Sequence, residues 1–295
     1  MTEKYNSFII KTPTHQVINR LGDVFVDDTA QLTTPDLTQN SQHPSHITTT
    51  ICHLIKKSET IAQDFEKKLT STGGKLALTK CFWYLITWEW TPSGKASMAP
   101  INRSPGTISL TSGQNTTKTD IIKRAEITEP YRTIGSYQTP TGSMEKEIMI
   151  KKEQIENWGQ PLQTSKIYPN LVYKAYKTIL MPQITFSLTN TTLTLPEINN
   201  LQTKADKYYI PKLGMSSKFP QVVLRGSYKF GGFNQTTLQM SQIYKQLQMI
   251  IGCTRDQNDT GTLLECSINI TQLEAGVTTP ILSAETTPDF INYTT

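Results

Sequence analysis

Three things are scarce or missing in this chain, and each narrows what it can be. No apolar stretch of signal-peptide type follows Met1, and no apolar run reaches membrane length. The expectation is therefore an intracellular protein, nuclear or cytoplasmic, neither secreted nor membrane-bound. Cysteine is rare. Cys52, Cys81, Cys253 and Cys266 form no C-x-x-C pair, which removes the usual zinc-ribbon and thiol-redox patterns and suits reduced thiols. His43, His46, Cys52 and His53 are the nearest approach to a metal cluster, running from a polar loop into a predicted helix. Charge is thin as well, at 18% of residues beside 36% hydrophobic, with a mean hydropathy of −0.38. Threonine, asparagine and glutamine fill the difference, so the core is expected to be lean. The Asn-x-Thr sequons at Asn115 and Asn269 follow from that composition.

The charge that is present is unevenly placed. The chain carries +5 overall, yet residues 141–229 hold twelve Lys/Arg against six Asp/Glu. From Asp256 onward there are six acids and no Lys or Arg. A basic block followed by an acidic tail suggests a polyanionic partner for the block, or merely a solvated helical face.

Periodicity supplies the elements. Phe8 to Ile10 reads as a possible strand, and Leu21 to Leu32 as a β-hairpin with Asp27 and Asp28 at its tip. Ile51, Leu54, Ile55, Ile61, Phe65 and Leu69 recur at helical spacing, predicting a helix over Ile47–Thr72 that Gly73-Gly74 stops. Lys75 to Trp90 alternates aromatic residues at period two and predicts one strand. Three of the four tryptophans fall there, where packing is the preferred reading over base stacking. The turn Thr91–Gly94 returns the chain toward Ala96–Ala99. Short strands follow at Thr107–Leu110, Ile121–Ile127 and Tyr131–Tyr137. The pattern then turns helical: Met144–Trp158, Tyr168–Leu188 with a break at Pro182, a helix from Pro196 to Tyr209, one capped by Asn234 and running to Ile251, and one over Leu263–Leu273.

Adjacent carboxylates repel unless a cation lies between them, so Asp27-Asp28 suits Mg²⁺, although Asp-Asp is equally at home in an exposed turn. The order of segments adds specificity. Phe25-Val26-Asp27-Asp28, then an amphipathic helix, then Gly73-Gly74-Lys75-Leu76-Ala77-Leu78-Thr79-Lys80, resembles the palm of reverse transcriptases. Tyr131-Arg132-Thr133-Ile134-Gly135 resembles the hairpin that grips the primer in that family. Phe230-Gly231-Gly232-Phe233 loosely resembles the thumb region of non-LTR (LINE-type) retrotransposon polymerases.

This resemblance implies RNA-directed DNA polymerase chemistry, a two-metal nucleotidyl transfer on an RNA template and DNA primer. Asp27 and Asp28 would hold Mg²⁺, Lys80 would serve as acid at the leaving group, and Ile134 and Gly135 would be primer-grip-like. Lys151, Lys152, Lys174, Lys177, Lys204 and Lys207 would contact nucleic-acid backbone. The family also needs an earlier metal-binding aspartate and a Gln-Gly nucleotide-site motif, and neither is matched here. The expectation is thus an α+β chain: a partial palm over residues 1–140, a small antiparallel sheet backed by one helix; a helical, basic, thumb-like part over 141–276; and an acidic flexible tail over 277–295. Such a fragment is expected to be inactive without the missing upstream polymerase segment. The alternative is a non-catalytic nucleic-acid-binding module or a retroelement relic.

Overall fold

A computed structural model describes residues 8–11, 17–20, 22–25, 28–35, 44–112, 119–133, 135–256 and 258–283. The fold is α+β, small sheets of two or three strands followed by a mostly helical region. Contacts divide it into two compact units, residues 1–129 with 262–295, and residues 130–261. The division falls at Glu129/Pro130, whereas composition suggested residues 140/141.

In the first unit, β1 (Phe8–Lys11) pairs with β2 (Val17–Arg20), and β3 (Gly22–Phe25) with β4 (Asp28–Gln31), both antiparallel. The hairpin register places Phe25 opposite Asp28. Helix α1 (Pro44–Ser71) follows. Its end is built by Gly73 at φ +88°, whose N–H reaches Thr70 O (3.0 Å) while that of Gly74 reaches Leu69 O (3.0 Å). Only glycine adopts that left-handed terminus without strain.

The aromatic run after α1 is not the single strand its alternation predicts. Leu78–Lys80 is a 3₁₀ turn, β5 (Phe82–Trp83) is two residues long, and β6 (Trp88–Trp90) belongs to a separate hairpin with β7 (Ala96–Met98). Leu78 and Leu85 turn into the core around α1, which breaks the period, while Trp88 and Trp90 stay exposed. Trp83 alone packs, with the Arg124 guanidinium 5.0 Å over its ring.

The three-stranded sheet has the order β5, β9 (Thr119–Arg124), β8 (Ile108–Thr111). Its β8–β9 pair is antiparallel, but β5 joins β9 in parallel. Helix α1 backs it as expected. Ile55 meets Ile108, Leu110 and Ile122 in one apolar cluster, and the Gln63 amide clamps Thr111 at both its N–H (2.8 Å) and its carbonyl (2.9 Å). Glu66, also buried, accepts bonds from Leu76 N–H (2.7 Å) and Ser112 Oγ (2.9 Å), so its carboxylate is solvated by protein donors.

The second unit opens with a hairpin, β10 (Tyr131–Thr133) and β11 (Ser136–Gln138), where periodicity alone predicted one strand. Helices α2 (Glu145–Thr164), α3 (Pro169–Ala175), α4 (Met181–Thr185), α5 (Leu195–Lys212), α6 (Gln221–Arg225) and α7 (Leu238–Asp256) follow, and α8 (Asp259–Ala275) runs across the division. Between α3 and α4 residues Tyr176–Leu180 form a π-helical turn. Pro182 has no N–H for the Thr178 carbonyl, and the ladder shifts so that Met181 N–H reaches Tyr176 O. The break expected at Pro182 is thus a change of helical register.

Helix α5 starts with a capping box. Thr194 N–H (2.8 Å) and Oγ1 (2.7 Å) both donate to Glu197, with Pro196 in the first turn. For α7 the capping side chain is Thr237, whose Oγ1 accepts Met240 N–H (3.1 Å), and not Asn234, which stands at φ +47° in the loop before it. Among the described residues the core of this unit is the larger of the two. Ile155, Tyr176, Leu180, Ile184, Leu201 and Tyr209 lie at its centre, with Tyr176 and Tyr209 stacked at 4.1 Å.

Candidate nucleic-acid interface

The acidic hairpin exists as a pair of strands, with Asp28 opening β4. Asp27 lies outside the described residues, as does the side chain of Asp28. Lys80 is exposed at the end of its 3₁₀ turn, and no hydrogen bond or ion pair among the described residues ties it to the hairpin. Among the described residues no group of three or more His, Cys, Asp or Glu could hold a metal ion. The donor set for a two-metal site is therefore not assembled by the described residues. His43 is likewise outside the described residues, and Cys52 and His53 are exposed on α1.

Of the primer-grip-like pair, Ile134 lies outside the described residues. Gly135 sits at φ +81°, and a Cβ there would come 2.7 Å from Phe186 Cε1. Glycine is required by the left-handed turn between β10 and β11, while a Cβ would also push the exposed Phe186 ring aside.

Lys151 corrects the expectation for the basic block. It is 1% exposed, and its ammonium donates to Ile184 O (2.6 Å) and Ser187 Oγ (2.5 Å) and lies 3.2 Å from Glu147 Oε1. Ser187 Oγ donates to Glu147 (2.5 Å), as does Tyr137 N–H (2.9 Å). Burial pushes the Lys151 pKa down against the pull of Glu147. Burial would raise Glu147, but the bonds from Ser187, Tyr137 and Lys151 hold it below the ordinary glutamate value. Lys151 is thus an internal anchor of α2 and cannot reach a phosphate.

The remaining candidates divide by exposure. Lys204 pairs with Glu156, and Lys152 is half-buried. Lys174, Lys177 and Lys207 are exposed, and no carboxylate pairs with them among the described residues. Four of the six acids of the block are engaged within the fold, while Glu145 and Glu153 are exposed. Glu147 and Asp206 are buried, Glu156 is held by Lys204, and Glu197 closes the α5 cap. Of the twelve cations in 141–229, Lys151, Lys204 and Arg225 have carboxylate partners among the described residues, and the other nine have none there.

Composition and periodicity did not single out the aromatic residues that gather at these lysines. Tyr173 Oη and Tyr228 Oη lie 2.7 Å apart, and Lys177 Nζ stands 4.7 Å over the Tyr173 ring. Burial would raise the Tyr173 phenol, but Lys177 and Tyr228 outweigh it and lower its pKa. The neighbouring Tyr173 phenol raises the pKa of Lys177. Phe230 is 85% exposed beside them in sequence. The available signal was Tyr228-Lys229-Phe230 set between Gly226 and Gly231-Gly232, a cation flanked by two rings in a turn.

Under this surface Arg225 Nη2 donates to Asp206 Oδ2 (2.6 Å), and Gln202 Nε2 donates to Asp206 Oδ1 (2.8 Å). Burial raises the Asp206 pKa, with Arg225 and Gln202 opposing. No described helix is long and apolar enough to cross a membrane. In comparison with known proteins, no family model matches the chain, and no curated protein and no solved structure matches it either.

Proposed function

We propose that residues 130–261 act as a nucleic-acid-binding module that holds its partner through phosphate contacts and performs no chemistry itself. One observation carries the reading. The block's carboxylates are mostly engaged within the fold, while Lys174, Lys177, Lys207, Lys218 and Lys229 are exposed without a carboxylate partner among the described residues. An outward cationic surface of this kind attracts a polyanion and releases its counterions on contact. Binding of a labelled RNA–DNA hybrid, followed by fluorescence anisotropy, tests it. Affinity falls steeply between about 50 and 200 mM salt, and each of Lys174→Ala and Lys207→Ala lowers the slope of log K against log salt by about 1. Affinity indifferent to salt and to both substitutions would refute the module.

A second reading rests on the antiparallel pairing of Phe25 with Asp28, followed by a helix closed by Gly73. It supports descent from a reverse-transcriptase palm, with Asp27 and Asp28 as the residues that would hold Mg²⁺. Primer extension by the purified chain separates the two. The module reading expects no product, and extension abolished by Asp27→Ala would replace it with a polymerase.

A further inference from the structure

We infer that the loop over residues 226–234 is a stacking platform for unpaired bases, so that the module prefers single-stranded nucleic acid. This rests on the nucleic-acid reading above and specifies its partner.

The loop is short, closed and stiff. At its neck Phe233 N–H reaches Val223 O (3.0 Å), Asn234 N–H reaches Gly226 O (2.7 Å) and Gln235 N–H reaches Leu224 O (3.2 Å). The two sides approach so closely that a Cβ on Gly232 would lie 2.1 Å from the Gly226 carbonyl oxygen. At its tip Tyr228–Phe230 form a 3₁₀ turn. Phe230 N–H reaches Ser227 O (2.9 Å), Gly231 N–H reaches Tyr228 O (3.0 Å), and Gly231 closes the turn at φ +77°. Below, Arg225 is tied to buried Asp206.

This frame separates two phenylalanines that sit three residues apart. Phe233 packs edge-on against Phe219 at 6.1 Å and joins the core, whereas Phe230 is held out at 85% exposure. Tyr228, 59% exposed, is steadied by its bond to Tyr173. The loop thus presents two rings with Lys229 between them and with Lys177 beside Tyr173. Exposed rings held by a rigid backbone offer apolar faces at little further ordering cost, and the charge around them is cationic. An unpaired nucleotide brings a base with an open π-face and a phosphate, so it satisfies both features. A duplex keeps its base faces stacked inside and can offer only phosphates.

The test uses the full chain and two fluorescent probes, an unstructured single strand of about 20 nucleotides and the corresponding blunt duplex. Phe230→Ala weakens single-strand binding by about tenfold, leaves duplex binding and the salt slope unchanged, and is rescued by Phe230→Trp. Circular dichroism checks that the substitution leaves the fold intact. If wild type binds both probes with the expected salt dependence while Phe230→Ala is silent, or weakens both equally, the platform is overturned and the phosphate-binding reading stands. If wild type binds neither probe, both fall.

Discussion

Lys151 shows how far a residue's place can depart from its type. It sits in the most basic stretch of the chain, beside Lys152, yet its ammonium is inside α2's packing face with Glu147 and Ser187 around it. Truncating one member of such a pair leaves the other charged and buried, so Lys151→Met destabilises the chain by about 3–5 kcal/mol in urea unfolding. Pairing it with Glu147→Leu recovers part of that loss, because no isolated charge remains. Glu147 also sets an acid dependence. Its folded pKa lies below the unfolded one, so its contribution is complete above the ordinary glutamate range and disappears as pH falls through the folded value. Melting temperature followed from about pH 6 down to about pH 3 therefore falls less steeply in Glu147→Gln than in wild type. Asp206, raised by burial, works in the opposite direction, its contribution growing as pH falls.

At the scale of elements the helical unit depends on close approach. Gly159 is buried in α2, where a Cβ would meet the Tyr208 ring of α5 at 2.3 Å. Neither helix can retreat without opening the core beneath, so Gly159→Ala costs about 1–3 kcal/mol by overpacking, despite the better helix propensity of alanine. Denaturant midpoints check it, and a neutral or stabilising result would mean that Tyr208 swings aside. The π-helical turn before Pro182 is a second local adjustment. It keeps Tyr176, Leu180 and Ile184 all in the core although the proline breaks the α-helical ladder.

At the scale of the whole molecule the described residues of the two units differ in how many apolar side chains they bury. Among the described residues, sixteen make up the core cluster of the second unit and six that of the first. Residues 130–261 are accordingly expected to unfold cooperatively when produced alone, as followed by circular dichroism on heating. A broad, sloping melt would mean that they need the rest of the chain. Helix α7 adds a liability, since Met240, Ile243, Tyr244, Leu247 and Ile251 are all exposed. Apolar residues so concentrated on one helix favour self-association. Gel filtration at rising concentration should show larger species, suppressed when Ile243→Lys and Leu247→Lys are combined.

Much of the secondary structure was legible because its causes are local. The helix over α1, its glycine stop, the return from β6 to β7 and the proline at the start of α5 each depend on residues within a few positions of one another. The acidic pair was equally plain in the chain, but a metal site needs donors from several elements, and local pattern cannot show whether they meet. Sequence alone determined that residues 141–229 carry an excess of positive charge. Tertiary structure decided which of those charges face outward. Packing of α2 drew Lys151 inside, the Arg225 bond held Asp206 19 positions away, and the closed 226–234 loop brought Tyr228 to Tyr173, 55 positions away. Burial and long-range hydrogen bonds made that choice, and neither is encoded in the spacing of residues along the chain.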